Sequence, residues 1–385
     1  MDTIIRNAFE RTFNSPDKSI DNFDSASGVN QWEMERKKIE EEFNIDLHQA
    51  KILVIGVGGA GSNTISTLTE MGIEGAKTVA VNTDAKHLSV TKAHQKILIG
   101  KETTRGLGAG GYPGVGKKAA EESRKELKEL LEGVDMVFIT CGLGGGTGTG
   151  AAPVIAEIAK SMGAIVIGTA TMPFKMEGTR IHKAEEGLME LRKAADTVIV
   201  IENQKLLKYC GDLSLKQAFA VADELISTMI KGITETITQP SLVNLDYADV
   251  KAIMHSGGVA AIGVGESDST NRAKEAVERA LSHPLLEMEI SGANGAIIQI
   301  IGGDDLKLEE INEIGEAVYK RMNPEAQVIW GARILPEYAG KIHVITIITG
   351  VKSPYILGRS QETNYTASGK SISNDLGIPI VGSPQ

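Results

Sequence analysis

Three glycine-dense stretches carry the residues best suited to chemistry. Gly56-Val-Gly58-Gly59-Ala60-Gly61 follows a strand-like run over Lys51–Val57, and Gly106-Leu-Gly108-Ala109-Gly110-Gly111 runs into Tyr112-Pro113-Gly114. The third and densest, Gly142-Leu-Gly144-Gly145-Gly146-Thr147-Gly148-Thr149-Gly150, follows an apolar run at Met136–Thr140 and opens into a helical pattern over Ala151–Met162. Without a Cβ, the backbone amides of such loops can approach an anion closely, and a helix starting there turns its positive end toward the charge. The first loop alone matches G-x-G-x-x-G, and Asp84, 23 residues past Gly61, stands where a ribose-binding acid would; by itself this reads as a dinucleotide site. Three loops in one α/β region suit a longer polyphosphate, hence a nucleoside triphosphate. A P-loop is excluded, because Gly111-Tyr-Pro-Gly-Val-Gly116-Lys117 puts Lys118 where a hydroxyl should reach magnesium, and no apolar strand leads into it.

Two sets of carboxylates add to the loops. Asp223 follows Phe219 by one helical turn, so ring and carboxylate share a face, suited either to stacking on and accepting from a base or to an ordinary solvated acid beside a core phenylalanine. Asp246 and Asp249 have D-x-x-D spacing at the start of a short helix, a pattern that serves helix capping and equally the positioning of a water molecule. The seven histidines have no ligand spacing, so no protein metal site is expected.

Positioning these groups requires alternating strands and helices. Strands are predicted at Lys51–Val57, Thr78–Val81, Met136–Thr140, Ala164–Ala170 and Thr197–Ile201, which makes a parallel, Rossmann-like α/β sheet. Apolar residues at helical spacing from Leu215 to Ile237 predict one long helix, about 36 Å at 1.5 Å per residue, stopped by Pro240. Beyond it, helices near Ala248–Met254, Asn271–Leu281 and Leu308–Met322 and strands at Ala296–Ile301, Gln327–Gly331 and Ile342–Thr349 predict a smaller α+β domain hung on that helix. The organisation expected is a flexible arm (1–48), a nucleotide domain (49–213), the central helix (214–240), a C-terminal domain (241–352) and a flexible tail (353–385). The arm includes a short apolar-faced segment, Ile4-Ile5-Ala8-Phe9.

Composition narrows the function classes. The 385 residues are 42% hydrophobic and 23% charged, within the range of ordinary folded domains. A net charge of -10 offers no general field for nucleic acid or anionic lipid. Two distant cysteines, Cys141 and Cys210, make no disulfide framework and suit a reducing cytoplasm. No signal segment and no run of eighteen apolar residues is visible, so neither secretion nor membrane insertion is expected.

The string Gly144-Gly-Gly-Thr-Gly-Thr-Gly150 resembles the signature loop of the tubulin and FtsZ GTPase superfamily, and the other motifs follow in order. Gly56 to Asn63 resembles the first nucleotide loop, Asn82-Thr83-Asp84 the second, Gly106–Gly111 the third, and Thr171-Met-Pro-Phe174 with Glu177 and Arg180 the fifth. The wording is similar to archaeal FtsZ proteins at Gln239-Pro-Ser-Leu242 and Val328-Ile-Trp-Gly331, while Tyr112-Pro113-Gly114 and Glu202 depart from the usual pattern. The resemblance spans about Lys51 to Val351. It implies GTP or GDP bound by Gly58, Gly59, Ala60, Asn63, Asp84, Gly108, Ala109, Gly110, Gly111, Gly144 to Thr149, Glu177 and Arg180, with Asn203, Phe219 and Asp223 on guanine and Mg²⁺ held mainly by phosphates and water.

The resemblance also implies that Asn244, Asp246 and Asp249 form a catalytic loop acting on the nucleotide of the next subunit in a head-to-tail homopolymer, assembled in the cytoplasm at a mid-cell division ring. It further implies a membrane-anchoring adaptor reached through a tail peptide, of which Asp375–Val381 is a faint counterpart. Two other classes remain open at this point. A nicotinamide oxidoreductase would use only the first loop and Asp84; a GTP-holding scaffold would keep the loops without working acids.

Overall fold

The computed structural model describes residues 50–351, apart from 211, 240, 244, 256–257 and 283–289. The expected arm and tail, with the Ile4–Phe9 segment and Asp375–Val381, lie outside the described residues, as do Pro240 and Asn244. The first half runs β1 (Ile52–Val57), α1 (Gly58–Met71), β2 (Ala76–Asn82), α2 (Ala85–Val90), β3 (Gln95–Leu98), α3 (Lys101–Thr104), α4 (Pro113–Glu122), α5 (Arg124–Leu131), β4 (Met136–Gly142), α6 (Thr147–Ser161), β5 (Ile165–Met172), α7 (Thr179–Ala194), β6 (Thr197–Glu202) and α8 (Asn203–Cys210). After α9 (Leu215–Thr238) come α10 (Tyr247–His255), β7 (Gly258–Ser267), α11 (Arg272–Leu281), β8 (Gly295–Gly302), α12 (Leu308–Tyr319), β9 (Gln327–Ile334) and β10 (Ile342–Thr349).

The strands form one ten-stranded sheet in the order β3-β2-β1-β4-β5-β6-β7-β10-β8-β9. From β3 to β6 every pairing is parallel, and all six residues of β1 are buried, as expected of a strand covered on both faces. This order reverses direction between β1 and β4, which opens a crevice at the carboxyl ends of those two strands. β10 is antiparallel to both β7 and β8.

One apolar layer packs α4 to α7, and farther along the sheet α11 and α12, on one face; the other layer packs α1, α9 and α10 on the opposite face. α9 begins in a capping box, with Ser214 Oγ accepting from Gln217 N at 3.4 Å and Gln217 Oε1 accepting from Ser214 N at 2.9 Å. Its Leu225, Ile226, Met229 and Ile230 are buried in the same cluster as Leu68 of α1 and Ile262 and Ile345 of β7 and β10. Each such side chain contributes about 1.5–3 kcal/mol by burial, so α9 is a shared spine.

Two features differ from expectation. The C-terminal part is not hung on the helix alone, because β6 pairs with β7 through Thr197–Gly258, Val198–Val259 and Ile199–Ala260, extending one sheet through both halves. The strand β7 itself has no counterpart in the sequence reading, since Gly263 and Gly265 dilute its apolar pattern. An added Cβ at these glycines would lie on the Ala280 and Ala276 carbonyl oxygens, so glycine here serves close packing of α11 on the sheet.

Candidate functional site

A cavity of about 300 Å³ opens at the crevice between β1 and β4. Its phosphate-sized end is backbone: Gly59 and Ala60 from the first loop, Gly142, Leu143, Gly145, Gly146, Thr147 and Gly148 from the last. Both loops feed long helices whose starts carry no side-chain cap and no acid in the first turn. Two sets of unsatisfied helix N–H groups therefore converge with their positive ends toward one space, an anion site by geometry. Gly58 is required where these loops meet: its φ is +75°, and an added Cβ would lie 2.9 Å from Gly148 N.

The other end is mixed in character. Thr171, Pro173, Glu177, Arg180, Asn203 and Phe219 line it. Glu177 is held in place twice, accepting from Phe174 N at 2.9 Å and pairing with Arg180 at 2.7 Å. Phe219 is 37% exposed, and its ring centroid lies 5.9 Å from that of Phe174, leaving an aromatic face open to the cavity beside nearly buried Asn203.

Several predicted residues stand behind the lining rather than in it. Thr149 is buried, and its hydroxyl accepts from Gly144 N at 2.9 Å, so it shapes the loop. Gly144 itself has φ +91°. Asp84 caps α2, accepting from His87 N at 3.0 Å. The second and third loops are stitched together by Gly108 N to Thr83 O and Ala85 N to Gly106 O, both 3.0 Å. This pair is joined to the cavity by Thr83 Oγ1 and Thr147 Oγ1 at 2.6 Å, and by Ala109, whose Cβ would collide with a side chain at Gly146. Gly110 and Gly111 lie outside the cavity lining, and Asn63 is exposed on α1.

Asp223 lies one turn deeper than Phe219, at the contact of α9 with α1. Thr64 Oγ1 donates to its carboxylate at 2.6 Å. Burial pushes the Asp223 carboxyl up to about 7, and the Thr64 hydrogen bond opposes that rise. Thr64 was not among the expected site residues, since one turn of helix after Ala60 carries no motif. Gly142, Leu143, Thr171 and Pro173 had a signal, falling inside quoted strings, but their part in the lining depends on the β4–β5 register.

Asp246 and Asp249 are elsewhere. Both are exposed; Asp246 Oδ1 accepts from Ala248 N at 3.1 Å, and its carbonyl accepts from Asp249 N and Val250 N, so Asp246 caps α10. Among the described residues neither carboxylate is in an ion pair. The start of α10 is fixed by Tyr247, whose hydroxyl donates to the Asp135 carbonyl at 2.8 Å, just before β4. The glycine loop follows the other end of β4, roughly 20 Å away at about 3.3 Å per residue.

Comparison with known proteins decides between the open readings. Residues 51–211 match the model of the tubulin/FtsZ family GTPase domain, and 258–352 that of the FtsZ family C-terminal domain. The chain belongs to the tubulin/FtsZ family. It is a cytoskeletal GTPase of the FtsZ type, at work in cell division. Cell division protein FtsZ 1 of Thermococcus kodakarensis is 53% identical over 363 residues, 94% of this chain and 95% of that protein. FtsZ 2 of Methanocaldococcus jannaschii is 56% identical over 324 residues, 83% of this chain and 84% of its own length. A solved M. jannaschii structure, an empty FtsZ dimer, superposes with a TM-score of 0.76 at 53% identity, covering 82% of this chain and 92% of that one.

The family assignment removes the nicotinamide alternative. The physical reason is that the cavity is flanked by two helix starts rather than one, and that the Asp84 carboxylate is engaged with α2. Among the described residues no helix is long and apolar enough to cross a membrane.

Proposed function

We propose that the cavity holds GTP with its phosphates on the first and last glycine loops and its base between Asn203 and Phe219, and that the GTPase works as a head-to-tail polymer. In this reading the amides of Gly59, Ala60 and Gly145 to Gly148 bind the phosphates, with Gly58, Gly144 and Thr149 shaping them. Asn63, Asp84 and Gly108 to Gly111 close the site from the side. Glu177 and Arg180 meet the sugar end, and ionised Asp223 accepts from guanine N1–H and N2–H, a pattern adenine does not offer. Mg²⁺ would sit on phosphate oxygens and water, because among the described residues Glu177 is the single carboxylate of the lining and is already paired. Bound there, the ion supplies charge neutralisation of the phosphates.

The observation that carries the polymer is the separation of the acids from the cavity along β4. Within one chain Asp246 and Asp249 do not reach the terminal phosphate; in a stack, one chain's α10 meets the next chain's cavity, and Asn244 joins them. Two exposed carboxylates, in no ion pair among the described residues, can orient water there, and phosphoryl transfer depends mainly on positioning and charge stabilisation. A contact that does not close makes a filament. Hydrolysis then weakens the contact by removing a phosphate from it. Residues 49–213 act as the nucleotide domain, 214–240 as the spine and 241–352 as the activating domain, with filaments gathered in a mid-cell cytoplasmic ring and tethered by a separate membrane adaptor.

The test is GTP hydrolysis per molecule against protein concentration, with light scattering on the same samples and ATP as control. A shared concentration threshold, with GTP alone, is the expected result. Turnover per molecule that stays flat without scattering would mean a self-contained site and would remove Asp246 and Asp249 from catalysis.

A further inference from the structure

Lys183 on α7 has no part in the site so far. Its Nζ donates to the Gly111 carbonyl at 2.9 Å and lies 5.4 Å from the centroid of the Tyr112 ring. Both partners end the third glycine loop, in which Gly106, Gly108, Gly110 and Gly111 all have positive φ, from +59° to +87°. A segment so rich in glycine has little conformational preference of its own, so its shape must be imposed by contacts.

Those contacts come from several elements. The near end is held by Ala85 N on Gly106 O and Gly108 N on Thr83 O, and a turn follows through Tyr112 N on Ala109 O. The far end turns into α4, with Val115 N and Gly116 N donating to the Tyr112 carbonyl. Between them, Lys183 reaches the Gly111 carbonyl from a different element. Its charge is not spent on an acid: among the described residues Lys183 is in no ion pair, whereas Arg180, one turn earlier, is bound to Glu177. The same helix touches the last glycine loop through Gly187, where an added Cβ would lie on the Thr149 methyl. α7 thus contacts both the last glycine loop, which lines the cavity, and the third, which packs beside it through Ala109 against Gly146, and Lys183 is its grip on the third.

The geometry points to Lys183 as a positioning residue that clamps the third glycine loop beside the terminal phosphates of the bound nucleotide, with the Tyr112 ring as its second anchor. The inference rests on the proposed reading that the cavity takes guanine nucleotide. Removing the ammonium frees Gly111 and opens the loop, so nucleotide leaves faster while the acids of the neighbouring subunit are untouched.

The experiment is stopped-flow release of a fluorescent GDP analogue from the full chain below its assembly threshold, followed by steady-state turnover above it. Lys183→Met is expected to speed release about fivefold, the loss of one partly exposed hydrogen bond, and to raise KM for GTP with kcat changed less than twofold. Lys183→Arg, which keeps a cation and a donor, is expected to restore release to within about twofold of the parent. Tyr112→Leu should give a smaller acceleration, and the double variant should release no faster than Lys183→Met, because the two contacts make one clamp. Release from Lys183→Met at the parental rate, with an unchanged thermal melt, would overturn the inference and leave the GTP site standing. Equal acceleration in Lys183→Arg would also overturn it, by showing that the side chain acts through packing. If Lys183→Met does not fold, Tyr112→Leu decides: a parental rate there refutes the clamp. A parent that binds no GDP analogue fails at the earlier step, and the clamp falls with it.

Discussion

The two ends of β4 are built on opposite principles. At its carboxyl end the chain gathers glycines, two helix starts without side-chain caps and a cavity. At its amino end, near Asp135, it places Tyr247 and the exposed acids of α10. One end is specified by backbone geometry, with no room for a side chain at Gly58, Gly146 or Gly148; the other is specified by two carboxylates on an ordinary helix start. On the proposed reading, binding and turnover are separable in this protein, because they would depend on different residues roughly 20 Å apart.

The largest break of that separation is expected from Asp246→Ala. Turnover should fall by roughly 100-fold, as for loss of a positioned acid–base group, while GTP binding and sedimentable polymer persist. Binding lost along with turnover would make Asp246 a structural cap and collapse the distinction. At the opposite end, Gly58→Ala should do the reverse. A non-glycine residue held at φ +75° costs about 1–3 kcal/mol, and its Cβ would press on Gly148 N, so GTP affinity should drop at least about tenfold in a filter-binding or fluorescence titration. Assembly would then fail only for want of nucleotide and return at high GTP.

The smallest and most diagnostic effect is that of pH on Asp223. In the free protein its carboxyl titrates at about 7, above the ordinary 3.8, so the stability it contributes is fully present below about pH 4 and is lost as pH rises through 7. Guanine binding has the opposite sign, because only the ionised carboxylate accepts from N1–H and N2–H. GTP affinity should therefore weaken below pH 7, approaching tenfold per pH unit, and proton release should accompany binding in calorimetry across buffers. Asp223→Asn should bind more weakly and flatten both pH slopes. A slope unchanged in that variant would move guanine recognition to Asn203 and Phe219 alone.

Much of this was legible before any coordinates. The alternation of strands and helices, the long helix from Leu215 and the strand Ile342–Thr349 follow from apolar periodicity, a local property. The cavity lining was legible at Gly59, Ala60, Gly145 to Gly148, Glu177, Arg180, Asn203 and Phe219 because glycine clustering is a composition signal and the motifs keep their order. β7 was not legible: its glycines answer to α11, a neighbour eleven or more residues on. Nor was the role of Thr64, whose partner Asp223 is 159 residues away.

By itself, then, the chain's sequence determined the fold class, the family and the kinds of groups that line the cavity, since these depend on residue types at short, fixed spacings. Tertiary structure alone decided which of those groups face the cavity and which support it: Thr149 and Asp84 serve the loops, Asp223 sits half-buried against Thr64, and Lys183 reaches Gly111. It also decided that the acids of α10 lie at the far end of β4 from the glycine loops. The reason is that hydrogen bonds and burial join residues across long sequence separations, and no local spacing records which partners will meet.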